Sequence, residues 1–264
     1  MLPGRPNVNE KQFRHVSIIT NLNSQKDEVN HLGAQRFAAE TNQELHNFFS
    51  IDTIPSKEPH KHRPWKGIPA GKLCSMKQGK IPTDIQHVLW EQPACVNTKL
   101  IPAKLSIFLN MPVMIHNNAA TKLCIMKGQE AFVYGWDCQK GPSGKDVLNT
   151  LFVKLANPPC PITLDGLPLN VVPLMKTTVT TSCKLPNGSS IAVTRCQIEA
   201  LPNFVMTNYA SQGKTRLYNV VDRSQSHSHQ SYYISLSRST TADGTLILNS
   251  IHPGKITGGT SGAL

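Results

Sequence analysis

The sequence predicts an α/β protein: a largely parallel sheet covered by helices and interrupted by a smaller β-rich subdomain. Three stretches predict it. In residues 203–239 a loop or short helix, an apolar run (Leu217, Val220, Val221), a polar loop and an amphipathic helix follow one another, and residues 244–249 add a strand directly afterwards. Strands alternating with helical stretches are the pattern of a parallel sheet with crossover helices. Residues 15–20 and 25–40 begin the same alternation near the start of the chain. Between the two, residues 137–201 hold short β-rich runs separated by Pro, Gly and Asn, the pattern of a small barrel.

Taken in order, residues 1–14 are polar and proline-bearing and read as a linker. Residues 15–20 form a compact strand. Ser24 is an N-cap candidate, and residues 25–40 make a helix whose apolar face is approximated by Val29, Leu32 and Phe37, with Asn30 and Arg36 elsewhere. A second helical stretch is expected through Leu45, Phe48 and Phe49. Residues 60–80 carry six Lys or Arg, no Asp or Glu, and Trp65. That composition suits phosphate neutralisation with base stacking, and equally a solvated loop on a basic protein; both readings stand. Leu89 and Trp90 close a short helix holding Ile85 against the core. Residues 113–115 read as a central strand. Lys127 and Gly128 form the tight turn of a hairpin ahead of a strand over 131–135. Further strands are expected at 150–155, 171–174, 177–184 and 190–198. In the last helix Tyr232, Tyr233 and Leu236 share a face, and Arg238 sits at its far end. A Gly-rich tail, 251–264, reads as a clipped C-terminus.

Bulk properties narrow the class of partner. At 264 residues the chain can form one large or two modest domains. A formal charge of +11 favours a polyanion; nucleic acid, an anionic membrane and a basic structural role all fit charge alone. No apolar run reaches spanning length and no signal pattern opens the chain, so an intracellular location, cytosolic or nuclear, without a membrane partner is expected. The seven cysteines are odd in number and form no C-x-x-C pair. Free thiols are therefore expected, with neither a disulfide framework nor a zinc site. The pairs His60/His62 and His227/His229 lack converging Cys or carboxylate partners, so no metal site is expected.

Two stretches imitate a phosphate-binding loop. Gly213-Lys214-Thr215 ends like Gly-x-x-x-x-Gly-Lys-[Ser/Thr], yet Asn208 stands at the first glycine. In Gly144-Lys145-Asp146, Gln139 replaces that glycine and Asp146 the magnesium-binding hydroxyl. No Gly-x-Ser-x-Gly turn presents a hydrolytic nucleophile.

Several stretches carry a family resemblance. Thr207–Thr215 resembles Thr-x-His-Lys-Ser-Gln-Gly-x-Thr, and residues 233–238, Tyr-Ile-Ser-Leu-Ser-Arg, resemble Tyr-Val-Ala-Leu-Ser-Arg. Residues 101–118 resemble Gly-x-x-Val-Met-Leu-x-x-Asn, and residues 36–41 read Arg-Phe-Ala-Ala-Glu-Thr. These are motifs of superfamily 1B DNA helicases of the petite-integration-frequency type, and the chain is most similar to the helicase end of fungal Helitron transposon Rep/helicase proteins. The resemblance implies a RecA-like domain 2A over 15–136 and 202–250, with an inserted SH3-like barrel, 2B, over 137–201. It implies Arg238 as the arginine finger, the catalytic residue of this half. Gln212, Gly213, Arg238 and Gln25 are the implied nucleotide contacts. Thr207, Tyr209, Ser211, Thr215, Asn117 and Lys127 are the implied contacts to single-stranded DNA. Tyr209-Ala210 replaces the family's His-Lys, which removes one cationic phosphate contact; Tyr209 is then a stacking candidate or a buried tyrosine. ATP and Mg are the implied cofactors of a two-lobed enzyme, and the first RecA-like domain is the implied partner in cis. Without a phosphate loop or an Asp-Glu strand, the chain by itself is expected to be inactive. The alternatives are a non-enzymatic single-stranded nucleic-acid-binding module and an inert transposon relic.

Overall fold

A computed structural model describes residues 13, 16–55, 81–123, 125–186, 188–224 and 228–249. The linker over 1–14 apart from Phe13, the basic connector over 60–80, and the tail over 251–264 lie outside the described residues, as does His227.

Four strands make the parallel sheet: β1 (Ile18–Thr20), β12 (Val205–Thr207), β13 (Asn219–Val221) and β14 (Thr245–Ile247), in the order β12-β1-β13-β14. Ile19 faces Met206 on one side and Val221 on the other. All three side chains are buried, so each short apolar run is recruited by its neighbours. The expected α/β class with a parallel sheet is what forms. The first helix, α1, runs Asn23–Glu40. Ser24 therefore lies inside its first turn, and Leu22 at the cap position makes no side-chain cap.

The buried face of α1 differs from the expected one. Lys26, Asn30, Ala34 and Ala38 are buried, while Val29 and Leu32 are 39% and 53% exposed. The reason is polar anchoring. Asn30 Oδ1 accepts from the N–H groups of Phe204 and Val205, and its amide donates to the Val205 carbonyl. A buried Asn satisfied by strand backbone outweighs an approximate apolar stripe, because the unmet backbone groups would cost more. Small residues then allow close approach: a Cβ at Gly33 would meet the Phe204 ring at 2.9 Å.

Leu45, Phe48 and Phe49 do not continue a helix. Asn42 turns the chain at φ +52°, and β2 (His46–Phe49) pairs antiparallel with β4 (Lys104–Ile107). Phe48 and His46 then pack against Trp136. Two aromatics on a half-buried strand suit sheet packing better than helix propensity suggests. The short helix α2 (Thr83–Glu91) forms as expected, with Leu89 and Trp90 buried.

The remaining strands form two antiparallel sheets. One is ordered β11-β5-β6-β7-β8, from β11 (Ala200–Pro202), β5 (Pro112–Ile115), β6 (Glu130–Lys140), β7 (Asp146–Leu155) and β8 (Val171–Met175). The other is ordered β3-β10-β9, from β3 (Ile51–Thr53), β10 (Ser190–Gln197) and β9 (Thr177–Lys184). Residues 113–115 thus pair antiparallel on both sides rather than joining the parallel sheet. The main core lies between α1 and the five-stranded sheet: Ala34 and Ala38 meet a cluster that includes Ile107, Phe108, Val113, Ile115, Val133 and Leu151. The strands within 137–201 do not form a sheet of their own. β6 passes unbroken through 136 and 137, β7 and β8 extend its sheet, and β9–β10 pair with β3 from far upstream. A bidentate ion pair fastens that second sheet, with Arg195 meeting Asp52 at 3.0 and 2.9 Å, both side chains buried.

Candidate functional site

Helix α3 (Asn208–Ser211) leaves the C-terminal end of β12, and α4 (His229–Leu236) follows β13. Thr207 caps α3, its Oγ1 accepting from the Ala210 N–H at 3.4 Å. Gln212 ends α3, and Gly213 takes φ +76°, the left-handed conformation that glycine adopts without strain. The chain then swings into Lys214, Thr215 and Arg216, and Arg216 bridges Ser239. Arg238 follows α4. Its Nε donates to the Ile234 carbonyl at 3.0 Å, Nη1 to the Lys214 carbonyl at 3.4 Å, and Nη2 to Ser237 Oγ at 2.8 Å. Arg238 is half-buried, while Gln212 and Gly213 are exposed beside the Lys214 carbonyl that it reaches. The turn after α3 and the arginine after α4 therefore meet, 24 residues apart in sequence.

A carboxylate ties this meeting point to the five-stranded sheet. Glu130 Oε1, at the start of β6, receives Lys214 Nζ at 2.8 Å and Arg216 Nη2 at 3.0 Å. Arg216 also donates to the Ser17 carbonyl at 2.7 Å, just ahead of β1. Burial works to raise the Glu130 carboxyl, but Lys214 and Arg216 together outweigh it and hold the group below its ordinary 4.5. Lys214 is itself lowered, first by burial, with Glu130 opposing and Arg216 adding to the fall. The two directions are consistent: the carboxylate faces two cations, whereas the ammonium faces one anion and a neighbouring cation.

The same hairpin places Asn117 and Lys127. Gly128, at φ +90°, donates to the Ile115 carbonyl, and the Lys127 N–H donates to Asn118 Oδ1 at 2.8 Å. Asn117 is half-buried and donates to Glu199 Oε1 at 3.2 Å; Lys127 is exposed. His116 beside them is held below its ordinary value, first by burial and then by Lys127.

Not every expected contact joins this group. Ser211 is fully buried and its hydroxyl donates to the Asn208 carbonyl at 2.7 Å, so it presents nothing to a strand of nucleic acid. Tyr233 is 67% exposed while Tyr232 is buried, because residues i and i+1 on a helix point about 100° apart. Gln25 accepts from Thr20 Oγ1 at 2.9 Å and lines a cleft of about 510 Å³ at the C-terminal end of β1. Arg238 precedes β14, at the other end of the parallel strands, so Gln25 is not brought to it. Thr215 and Tyr209 are exposed, Tyr209 at 81%. The contact that sequence reading missed is Glu130; its only signal was an acidic residue opening a strand in a basic chain. Among the described residues no group of three or more His, Cys, Asp or Glu is placed to hold a metal. All three Arg238 guanidinium nitrogens donate within this chain, and these residues include neither a glycine-rich phosphate cradle nor a cluster of carboxylates for magnesium.

Compared with solved structures, the chain is similar to the Pif1 helicase from Candida albicans, with 19% identity and a TM-score of 0.57 over 96% of this chain and 49% of that one. It is similar as well to Pif1 from Bacteroides in complex with ADP-AlF3 and single-stranded DNA, at 14% identity and a TM-score of 0.56. That match covers 96% of this chain and 44% of the Bacteroides chain. A further structure, Bacteroides Pif1 bound to single-stranded DNA, matches at 13% identity and a TM-score of 0.56, over 95% of this chain and 44% of that one. The chain thus shares its fold with part of these Pif1 structures, and it spans about half the length of the structures it matches. Neither the protein-family models nor the curated proteins contain a match to the chain.

Proposed function

We propose that this chain is the second motor lobe of an ATP-dependent DNA helicase of the superfamily 1B kind. In this reading Arg238 meets the phosphates of a nucleotide held mainly by a first RecA-like lobe in the same enzyme, with Gln212 and Gly213 beside it. Tyr209, Thr207, Thr215, Asn117 and Lys127 face a single strand of DNA, and the β9–β10 sheet serves as the SH3-like element closing over it. The Arg36–Thr41 run favours a fungal Helitron origin, and a nuclear location follows from that. The supporting observation is the contact between Arg238 and the Lys214 carbonyl, which sets the arginine beside the Gln212-Gly213 turn. An always-charged, forked guanidinium suits phosphate recognition across a closing cleft. Gln25 is left out of this nucleotide set, and Ser211 out of the DNA set.

A second reading, a non-enzymatic module for single-stranded nucleic acid, is favoured by the +11 charge and by the lack of a phosphate-loop motif. Both readings predict binding of a labelled single strand, with log affinity falling linearly against log salt. Absent or salt-indifferent binding overturns both. Hydrolysis of ATP restored when a phosphate-loop lobe is supplied separates the first from the second.

A further inference from the structure

Among the described residues, Arg223 is an unusual charge. It is 2% exposed, and among the described residues none of its three guanidinium nitrogens has a hydrogen-bond partner. Its Cζ lies 3.4 Å from the centroid of the Tyr232 ring. The adjacent carboxylate, Asp222, is spent elsewhere: Oδ1 accepts from the Ser224 N–H at 3.0 Å and from the Asn249 amide at 2.6 Å. A buried guanidinium with five unmet donors is costly, and stacking on an aromatic face leaves those in-plane donors unmet.

The surroundings indicate what would meet them. Tyr232 stands in the first turn of α4, and long helical side chains lean toward the helix N-terminus. There the N-cap Ser228 accepts from the Ser231 N–H, leaving the earlier N–H groups of α4 without intrahelical partners. The positive end of the helix dipole and the guanidinium thus favour the same sign of ligand. Next to this turn, Ser231 Oγ and Asn208 join through Asn21, on the end of the sheet where Thr207 caps α3.

We propose that Arg223, backed by Tyr232 and the N-terminus of α4, is a phosphate-binding site at the C-terminal end of the parallel sheet, separate from the Arg238 junction. Its ligand is a phosphate oxyanion, free or within a nucleic-acid backbone. Only the nucleic-acid source rests on the function proposed above.

The test uses the whole chain and the variants Arg223→Leu and Arg223→Lys. Wild type gains a few degrees in Tm, on the order expected for millimolar ligand, as inorganic phosphate replaces chloride at equal ionic strength. Arg223→Leu starts from a higher Tm, having lost an unpaired buried charge, and shows no phosphate response; Arg223→Lys keeps part of it. Wild type gaining nothing over chloride, gaining as much from acetate, or Arg223→Leu responding like wild type overturns the site. A single-stranded oligonucleotide then tells the sources apart. If the backbone is the ligand, Arg223→Leu lowers the salt slope of binding by about 0.7, the share of one phosphate contact on a single strand. An unchanged slope with an intact phosphate response assigns the site to free phosphate. Loss of single-strand binding in the wild type with that response intact defeats the helicase reading and leaves the site standing.

Discussion

One carboxylate oxygen of Glu130 accepts from the Arg216 guanidinium at 3.0 Å, across 86 residues of chain. With Lys214 on the same oxygen at 2.8 Å, it joins the turn after α3 to the hairpin that carries Asn117 and Lys127. The turn proposed to face the nucleotide and the hairpin proposed to face DNA therefore share one carboxylate.

Glu130→Gln tests that link. Glu130 is 34% exposed, so after discounting for screening its loss costs about 1 kcal/mol. The pH dependence carries the sign. A carboxyl whose folded value lies below its ordinary 4.5 adds stability above that value and loses it as pH falls through the lower, folded one. Thermal melts between neutrality and acid should therefore fall less steeply below pH 4.5 in Glu130→Gln than in wild type. Parallel curves would show that Lys214 and Arg216 hold the turn without help from the carboxylate.

The buried pair of Asp52 and Arg195 makes a harsher prediction. Both side chains are out of water, and Arg195 also donates to the Ile101 carbonyl at 3.0 Å. Removing one partner strands the other charge, so Asp52→Ala should cost about 3–5 kcal/mol. The double variant Asp52→Leu/Arg195→Met should recover much of that loss in denaturant titrations. A double variant as unstable as the single one would mean that the pair holds β3 to β10 by geometry, beyond balancing its own desolvation.

Legibility in the sequence followed apolar runs and turn residues. The strands at 177–184 and 190–197, the turn glycine at 128 and the alternation around β13 and α4 all rest on period and punctuation, which short-range patterns carry. What failed was decided by distant partners. Asn30 is polar, yet it is buried because backbone groups 175 residues away need it. Phe48 and Phe49 form a strand because β4 offers an edge and Trp136 a surface. The motif stretch over 207–215 was visible as a line of residues, but which of them face outward was not. A four-residue helix turns Ser211 in and Tyr209 out.

That difference separates two substitutions within one motif. Tyr209→Ala removes an 81% exposed ring, so stability should hold within about 0.5 kcal/mol, while single-strand affinity falls by about 1–3 kcal/mol if a base stacks there. Ser211→Ala removes a buried hydroxyl bonded to the Asn208 carbonyl. It should cost about 1 kcal/mol in stability and leave DNA affinity unchanged. Anisotropy and melting on the same two samples check both; the reversed pattern would place the DNA track away from α3.

Arg238 decides between a motor lobe and a passive module. Its bonds to the Ile234 carbonyl, Ser237 Oγ and the Lys214 carbonyl stabilise the C-terminal end of α4. Being half-exposed, they are worth little, so Arg238→Ala should lower stability by no more than about 1 kcal/mol. Its effect on chemistry should be far larger. In a chimera with this chain in place of the matching half of the Candida albicans helicase, loss of an arginine finger should reduce ATP hydrolysis about 10³-fold or more. Single-strand affinity should be preserved. Arg238→Lys should rescue stability but not hydrolysis, because a point charge does not reproduce the planar fork. A helix-capping role alone would show the opposite, with hydrolysis tracking stability and lysine restoring both.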